Sequence, residues 1–426
     1  MWKRFKHSLK GIYIVYCREL KLIISDMGLL LFLCFLPVVY PLVYSLIYNP
    51  ELVKDVPMVV VDNDRTPLSR ELARKIDACD QAWVRGYASD LSEARRAMAG
   101  RDCYAILEIP EGFERSVGNN STAQAVMYCD MGLLLRYRGF VVAATNVMMD
   151  MGAEILTQKI DDTVPLVGTV ADGDLLPIAN INMGNIQGGF DTFIMPGIVV
   201  LILQQCIILV IGMAGGAKRE RRTLVRYDAD NYEPSIFGTM CAQMLAYITI
   251  LILPAVFMIH YVPLIFSFPI AGNLFEEMAF LLPMVIACFG LGFAFQGLVT
   301  ERESVFVCWV ITSVVFLFLS GMIWPRYDMA PVWKALSDIC PSTWGVEGFI
   351  KMSSNGSSLA QVSHEYLMLW ILAAAWWAVG WVVQLTAVRP VMLRQQARNI
   401  IIFNRLMRSG YFGGKKIQND RTDDRQ

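Results

Sequence analysis

Residues 193–217 read FIMPGIVVLILQQCIILVIGMAGGA, and KRERRT follows at 218–223. The first stretch holds no Asp, Glu, Lys, Arg or His. A helix needs roughly 20 apolar residues to cross the hydrocarbon core of a bilayer. A charge at mid-membrane costs about 3 kcal/mol or more, so a charge-free run of this length that ends on cations predicts a transmembrane helix. The run does not alternate, which excludes a barrel strand. Five further windows have the same character: Met27–Tyr48, Ser235–Ile259, Met278–Thr300, Ser304–Pro325 and Tyr366–Val388. Six spans are therefore expected. The 426-residue chain is 55% hydrophobic and only 18% charged, outside the range of soluble domains. The first window follows 26 residues and is too long for the apolar core of a signal peptide.

Basic residues orient the spans. Lys and Arg number six in 1–26, five in 218–234, one in 301–303 and nine in 389–426, against none in 260–277 and three in 326–365. The positive-inside rule places both termini in the cytoplasm. Segment 49–192 carries thirteen, but long domains cross regardless of charge. Trp324, Trp333 and Trp344 suit an outer interfacial belt.

The segments between spans divide the chain further. Residues 8–24 read as an amphipathic helix, with Leu9, Ile12, Tyr13, Tyr16, Leu20, Ile23 and Ile24 on one arc and Lys10, Arg18 and Lys21 opposite. It suits the inner membrane interface, or packing on a partner. Residues 49–190 alternate strands (57–62, 104–110, 124–129) with helices (69–76, 91–99, 112–117, 137–160), an α/β pattern. Residues 326–352 hold two short amphipathic pieces, 330–336 and 339–344, too short to cross and suited to a re-entrant turn. The expected fold is an α-helical integral membrane protein of six transmembrane helices with an inserted extracytoplasmic α/β domain. Its parts are a connecting helix (1–26), the first span (27–48), the α/β domain (49–190), spans two to six (191–388) with loops 218–234 and 326–352, and a cytoplasmic tail (389–426).

Chemistry is sparse. No P-loop occurs, since Gly413-Gly414-Lys415-Lys416 lacks its spacing and hydroxyl. There is no CxxC or Cys/His cluster, so no metal site or cofactor is expected. Cys79, Cys103, Cys129 and Cys340 would face outward, and their pairing is left open. Asp62, Asp64, Asp90, Glu108 and Asp130 stand near strand ends, but without a His in that domain they read as turn and cap formers, and no catalytic residue is expected. A near-neutral balance gives no pointer to nucleic acid. The spans carry Gln204, Gln205, Gln243, Gln296 and Gln384 but no acidic or basic relay, which argues against an ion channel or proton antiporter. Gln204, Gln205 and Gln296, with Phe32, Phe35 and Tyr40, are candidates to line a path. Each Gln equally suits a helix–helix hydrogen bond, and each aromatic a lipid contact.

Four stretches, in order, resemble a known family. They are Val59-Val60-Val61-Asp62-Asn63-Asp64 with Ser69 and Leu72, Ala105 to Phe113 around Ile109-Pro110, Met195-Pro196-Gly197, and Arg219-Glu220-Arg221-Arg222-Thr223-Leu224. Together they resemble the type-2 permeases of ATP-binding-cassette (ABC) transporters, in the subgroup with a large outer domain after the first span. Arg222 stands where that family usually has Gly. The resemblance implies a coupling helix after the second span. Arg219, Glu220, Arg221, Thr223 and Leu224 would carry the contact to the ATPase, although the same arginines also serve as a positive-inside anchor. It implies a separate ABC ATPase subunit, a homodimer or a heterodimer with a similar permease, contact with membrane lipid and, less directly, a periplasmic adaptor. The expected role is efflux of an apolar or amphipathic cargo, a drug or lipid, across a bacterial inner membrane. A membrane sensor or scaffold with an outer ligand-binding domain is the rival. An ATPase in the purified complex separates the two.

Overall fold

The structure is a computed structural model that describes residues 2–48, 53–119, 121–132, 134–163, 185, 189–220 and 235–391. The chain forms two compact units, one of residues 1–49, 183–186 and 191–426, the other of 50–182 and 187–190.

The first unit opens with helix α1, Trp2–Ser25, which packs along the later helix Ile236–Ile265. Its buried stripe is Gly11, Val15, Glu19 and Ile23, spaced four apart. That stripe is turned by about one residue's 100° from the apolar arc of the sequence, so Leu9, Tyr13 and Ile24 stay exposed beside it. Helix α2, Met27–Tyr48, follows, with Asp26 accepting at its N-terminus from the backbone N–H of Gly28 and Leu29. A π-helical stretch, Leu31–Phe35, lies just before Pro37, where the missing proline N–H disturbs the ladder.

The second unit carries a four-stranded sheet. Its elements are β1 (Val56–Asp62), α3 (Pro67–Asp77), β2 (Ala82–Tyr87), α4 (Leu91–Ala99), β3 (Ala105–Ile109), α5 (Phe113–Gly118), β4 (Val126–Cys129) and α6 (Leu134–Thr163). The order is β2-β1-β3-β4, with β1 parallel to β2 and β3, and β4 antiparallel to β3. Strand β1 is central and covered on both sides, hence its unbroken apolar run. Met58 and Val60 pack with Leu72 and Ile76 of α3 and Phe140 of α6, and Val59 and Val61 pack with Ala94 of α4. Thr66 and Ser69 form a reciprocal capping box that starts α3, with Pro67 in its first turn. Strand β2 is an addition to the sequence reading. It is a half-exposed edge strand, and Arg85 and Gly86 hide its apolar signal. Cys79, Cys103, Cys129 and Cys340 are all free thiols.

The first unit resumes with α7 (Phe190–Glu220), α8 (Ile236–Ile265), α9 (Leu274–Phe295), α10 (Ser304–Leu319), α11 (Pro331–Asp338), α12 (Pro341–Asn355) and α13 (Ser363–Val391). Among the described residues five helices are long and apolar enough to cross a membrane: α2, α7, α8, α9 and α13. Helix α7 is the most enclosed of the five. Helices α9 and α13 meet at Gly290 and Gly380, where a methyl group on Gly380 would stand 2.8 Å from the Gly290 carbonyl oxygen. Small residues allow such backbone approach in membrane helices. Helix α10 is apolar but has 16 residues. At 1.5 Å per residue that is about 24 Å, short of a core of roughly 30 Å. The expected window Ser304–Pro325 therefore exceeds its helix, which ends before Ser320-Gly321. Helix α12 is 15 residues and largely buried, longer than the short piece read at 339–344. Trp344 is buried within it, while Trp324 and Trp333 are exposed.

Candidate functional site

The C-terminal end of α7 runs into the segment expected to contact an ATPase. Glu220 is its last residue, and Arg221, Thr223 and Leu224 lie outside the described residues. What precedes them is a set of polar ties that joins α1, α2, α7, α8, α9 and the 301–303 turn.

Glu19 lies on the buried stripe of α1, 1% exposed. Lys218 Nζ of α7 donates to its Oε1 at 2.7 Å, and Gln243 Nε2 of α8 donates to the same oxygen at 3.2 Å. Burial pushes the Glu19 carboxyl toward the neutral form, but the Lys218 charge and the two hydrogen bonds outweigh it and hold the pKa below its ordinary value. Asp26 serves twice. It caps α2 and takes both arms of Arg302, with Nη1 on Oδ2 at 3.0 Å and Nη2 on Oδ1 at 2.6 Å. Burial again opposes the charge and the guanidinium prevails, so Asp26 is also held low. Gly28 makes room for this fork, since a methyl group there would stand 2.3 Å from Arg302 Nη2. Arg219 donates to the carbonyl oxygens of Gln296, at 2.8 Å, and Val299. Gln296 is the C-cap of α9 and Val299 lies in the turn after it, so the guanidinium closes the end of that helix. Of the five expected ATPase contacts, Arg219 is thus engaged inside the chain.

Two of the candidate path residues are joints between helices. Gln204 Nε2 donates to Ser342 Oγ at 3.1 Å, and its Oε1 accepts from the Ser342 backbone N–H at 2.8 Å. Ser342 is in the first turn of α12, so Gln204 satisfies an otherwise orphaned donor. Gln296 Nε2 donates to Ile211 O at 2.7 Å, and Gln384 of α13 donates to Gln296 Oε1 at 2.7 Å. Gln205 is buried, and among the described residues neither of its amide atoms has a hydrogen-bond partner. Phe32 is half-buried against Phe306, with ring centroids 5.6 Å apart. Phe35 is 60% and Tyr40 49% exposed. The structure does not bring these six residues together on one surface.

At the other end of the helices, Arg326 pairs with Asp338 and, at 2.6 Å, with Glu347, while its guanidinium lies 4.1 Å over the Trp344 ring. Lys351 bridges Glu347 at 3.1 Å and Glu365 at 2.7 Å. Burial works against the Glu347 charge, yet the Arg326 and Lys351 bonds keep its pKa low.

In the α/β unit each strand-end acid has a local bond. Asp62 accepts from Arg65 N and Ser69 Oγ, both at 2.8 Å. Asp64 accepts from Gly112 N at 2.8 Å and Glu114 N at 3.0 Å, and so fills the start of α5. Asp90 caps α4, Glu108 accepts from Tyr128 Oη at 3.1 Å, and Asp130 accepts from Gly132 N at 2.8 Å. The crevice between β1 and β3, where such sheets usually bind ligands, is occupied by the chain's own Asp64 carboxylate.

The sequence reading missed Glu19, Asp26 and Arg302. Glu19 had one signal, its place at the edge of the apolar arc of α1. The Asp26–Arg302 pair joins residues 276 apart and had none.

A family model of ABC-2 transporter proteins matches residues 27–382, from the first span into α13. The chain belongs to the ABC-2 transporter family. It is accordingly a multi-pass membrane protein, the permease component of an ABC transporter whose ATP is hydrolysed by a separate subunit. No curated protein matches the chain.

Proposed function

We propose that this ABC-2 permease exports an apolar or amphipathic cargo, drug or lipid, from the cytoplasm or inner leaflet of a bacterial cytoplasmic membrane. In this reading two permeases, identical or similar, enclose the path, and two ATPases drive them. Both termini are cytoplasmic, as the distribution of Lys and Arg supports. Six spans then cross, the fifth being α10 extended by Ser320–Trp324. The α/β unit lies outside and receives cargo or a periplasmic adaptor. The exposed Leu9, Tyr13 and Ile24 of α1 meet lipid at the inner interface.

The observation that carries the reading is the set of ties at the end of α7. An ATPase gripping 218–234 pulls on Lys218 and Arg219; Lys218 is bonded to Glu19 of α1, which Gln243 of α8 shares, and Arg219 to the backbone at the end of α9. Motion entering there reaches several helices at once. Glu220→Ala and Thr223→Ala are expected to insert normally and to lose transport at least several-fold. The test is cargo-stimulated ATP hydrolysis and uptake in inside-out vesicles containing the ATPase. Normal transport by both variants at normal levels contradicts a coupling role for this segment.

A further inference from the structure

Tyr247 of α8 is 1% exposed, and its hydroxyl has no hydrogen-bond partner among the described residues. The ring is held by its neighbours. Phe289 of α9 lies against it with centroids 6.3 Å apart, and Ile23 of α1 belongs to the same buried cluster. The hydroxyl itself is an orphan inside the set of ties at the end of α7.

Tyr247 stands four residues after Gln243, so the two share one face of α8. Helical side chains lean toward the N-terminus, which lays the Tyr247 ring over the turn that carries Gln243. Gln243 is the residue that donates to Glu19. The charge of Glu19, and more weakly that of Asp26, reaches the Tyr247 hydroxyl. Both carboxylates are already taken. Glu19 accepts from Lys218 and Gln243, and Asp26 from Arg302 and the backbone N–H groups of Gly28 and Leu29.

A buried hydroxyl without a partner lowers stability, so in this conformation Phe would serve as well as Tyr. The hydroxyl has a use only when a carboxylate beside it loses a donor. A buried carboxylate stripped of its cation is a worse defect than an idle hydroxyl. A phenol O–H donating to a carboxylate makes a short, charge-assisted bond. We propose that Tyr247 is the reserve donor of the α7 end: when force on 218–234 draws Lys218 off Glu19, the Tyr247 hydroxyl donates to the freed carboxylate. The tie can then open and close without leaving a bare buried charge. Tyr247 is thus a positioning residue for the ATP-driven step, and the proposal rests on the coupling reading above.

The test is a double-mutant cycle on the full-length permease in nanodiscs, read as the thermal midpoint. Tyr247→Phe alone should leave the midpoint unchanged or slightly raised, because the hydroxyl is unbonded at rest. Lys218→Met should lower it, and in the Tyr247→Phe background it should lower it by about twice as much, since contacting residues are not additive. Gln243→Leu takes the other donor from the same oxygen. It repeats the cycle if Lys218→Met fails to insert, with an excess loss of the same sign expected. A fall with Tyr247→Phe alone, or additive losses in the cycle that inserts, overturns the proposal. Cargo-stimulated ATP hydrolysis by the complex with its ATPase separates the proposal from the reading beneath it. Tyr247→Phe is expected to lose stimulation at least threefold. A non-additive cycle with normal stimulation supports the reserve donor and breaks the coupling reading.

Discussion

The two ends of the helical unit are both held by charge, but in different ways. At the α7 end the partners are far apart in the chain: Glu19 and Lys218 by 199 residues, Asp26 and Arg302 by 276, Arg219 and Val299 by 80. At the α12 end they are local: Arg326 and Asp338 by 12, Arg326 and Glu347 by 21, Lys351 and Glu365 by 14. The first kind joins helices that lie far apart in the chain. The second links Asp338, Arg326, Glu347, Lys351 and Glu365 in one chain within a short stretch, where losing one member leaves others in place. The difference suits an end that transmits force and an end that holds a local shape.

The largest effect should follow from Glu19→Ala. It leaves Lys218 without its carboxylate and Gln243 without an acceptor, and breaking one half of a buried pair costs about 3–5 kcal/mol. Lys218 keeps some solvent access, so the lower figure is expected, read as a fall in the thermal midpoint of the purified permease. Asp26→Ala should come next. It removes a cap worth about 1 kcal/mol and also breaks the two hydrogen bonds from Arg302. Asp26→Asn keeps the cap and should recover part of the loss, which separates capping from charge. A fall no larger than that of Lys351→Met at the α12 end would break the comparison.

Acid sharpens it further. Glu19 and Asp26 have lowered pKa values in the fold, so their ties contribute fully above the unfolded carboxylate range and are lost as pH falls through the lower folded values. Between pH 8 and 6 the thermal midpoint should therefore owe no change to them. Below about pH 4, the ordinary carboxylate range, the wild type should lose stability that Glu19→Ala has already lost.

The smallest effect is expected at the α12 end. Lys351→Met removes the middle of a chain whose ammonium is 41% exposed, and such a half-exposed pair is worth about 1 kcal/mol or less. A larger loss than that of Asp26→Ala would show that the chain at the α12 end, not the ties at the α7 end, bears the load.

Five of the spans were legible because lipid forbids charge, a rule that acts residue by residue. Their ends were less so. Glu276 and Glu277 fit inside the first turn of α9, which moves that helix four residues ahead of its charge-free window, Met278–Thr300. Strand β1 was legible because a central parallel strand is apolar throughout, and β2 was not, because an edge strand needs no such run. Gln204 and Gln296 could be read as either joint or path lining, since one amide serves both, and only their partners Ser342, Ile211 and Gln384 decide. The ties at the α7 end were out of reach for a simple reason. Nothing local to Asp26 tells that Arg302 will stand beside it.

The central claim is that force from the ATPase enters through the end of α7 and spreads by these ties. The most direct measurement is cargo-stimulated ATP hydrolysis by the reconstituted complex with Glu19→Lys, with Lys218→Glu, and with both together. The account predicts that each single variant, inserted at normal levels, loses stimulation at least fivefold, and that the double exchange restores most of it. Normal stimulation in the single variants, or a double exchange no better than either, would contradict it.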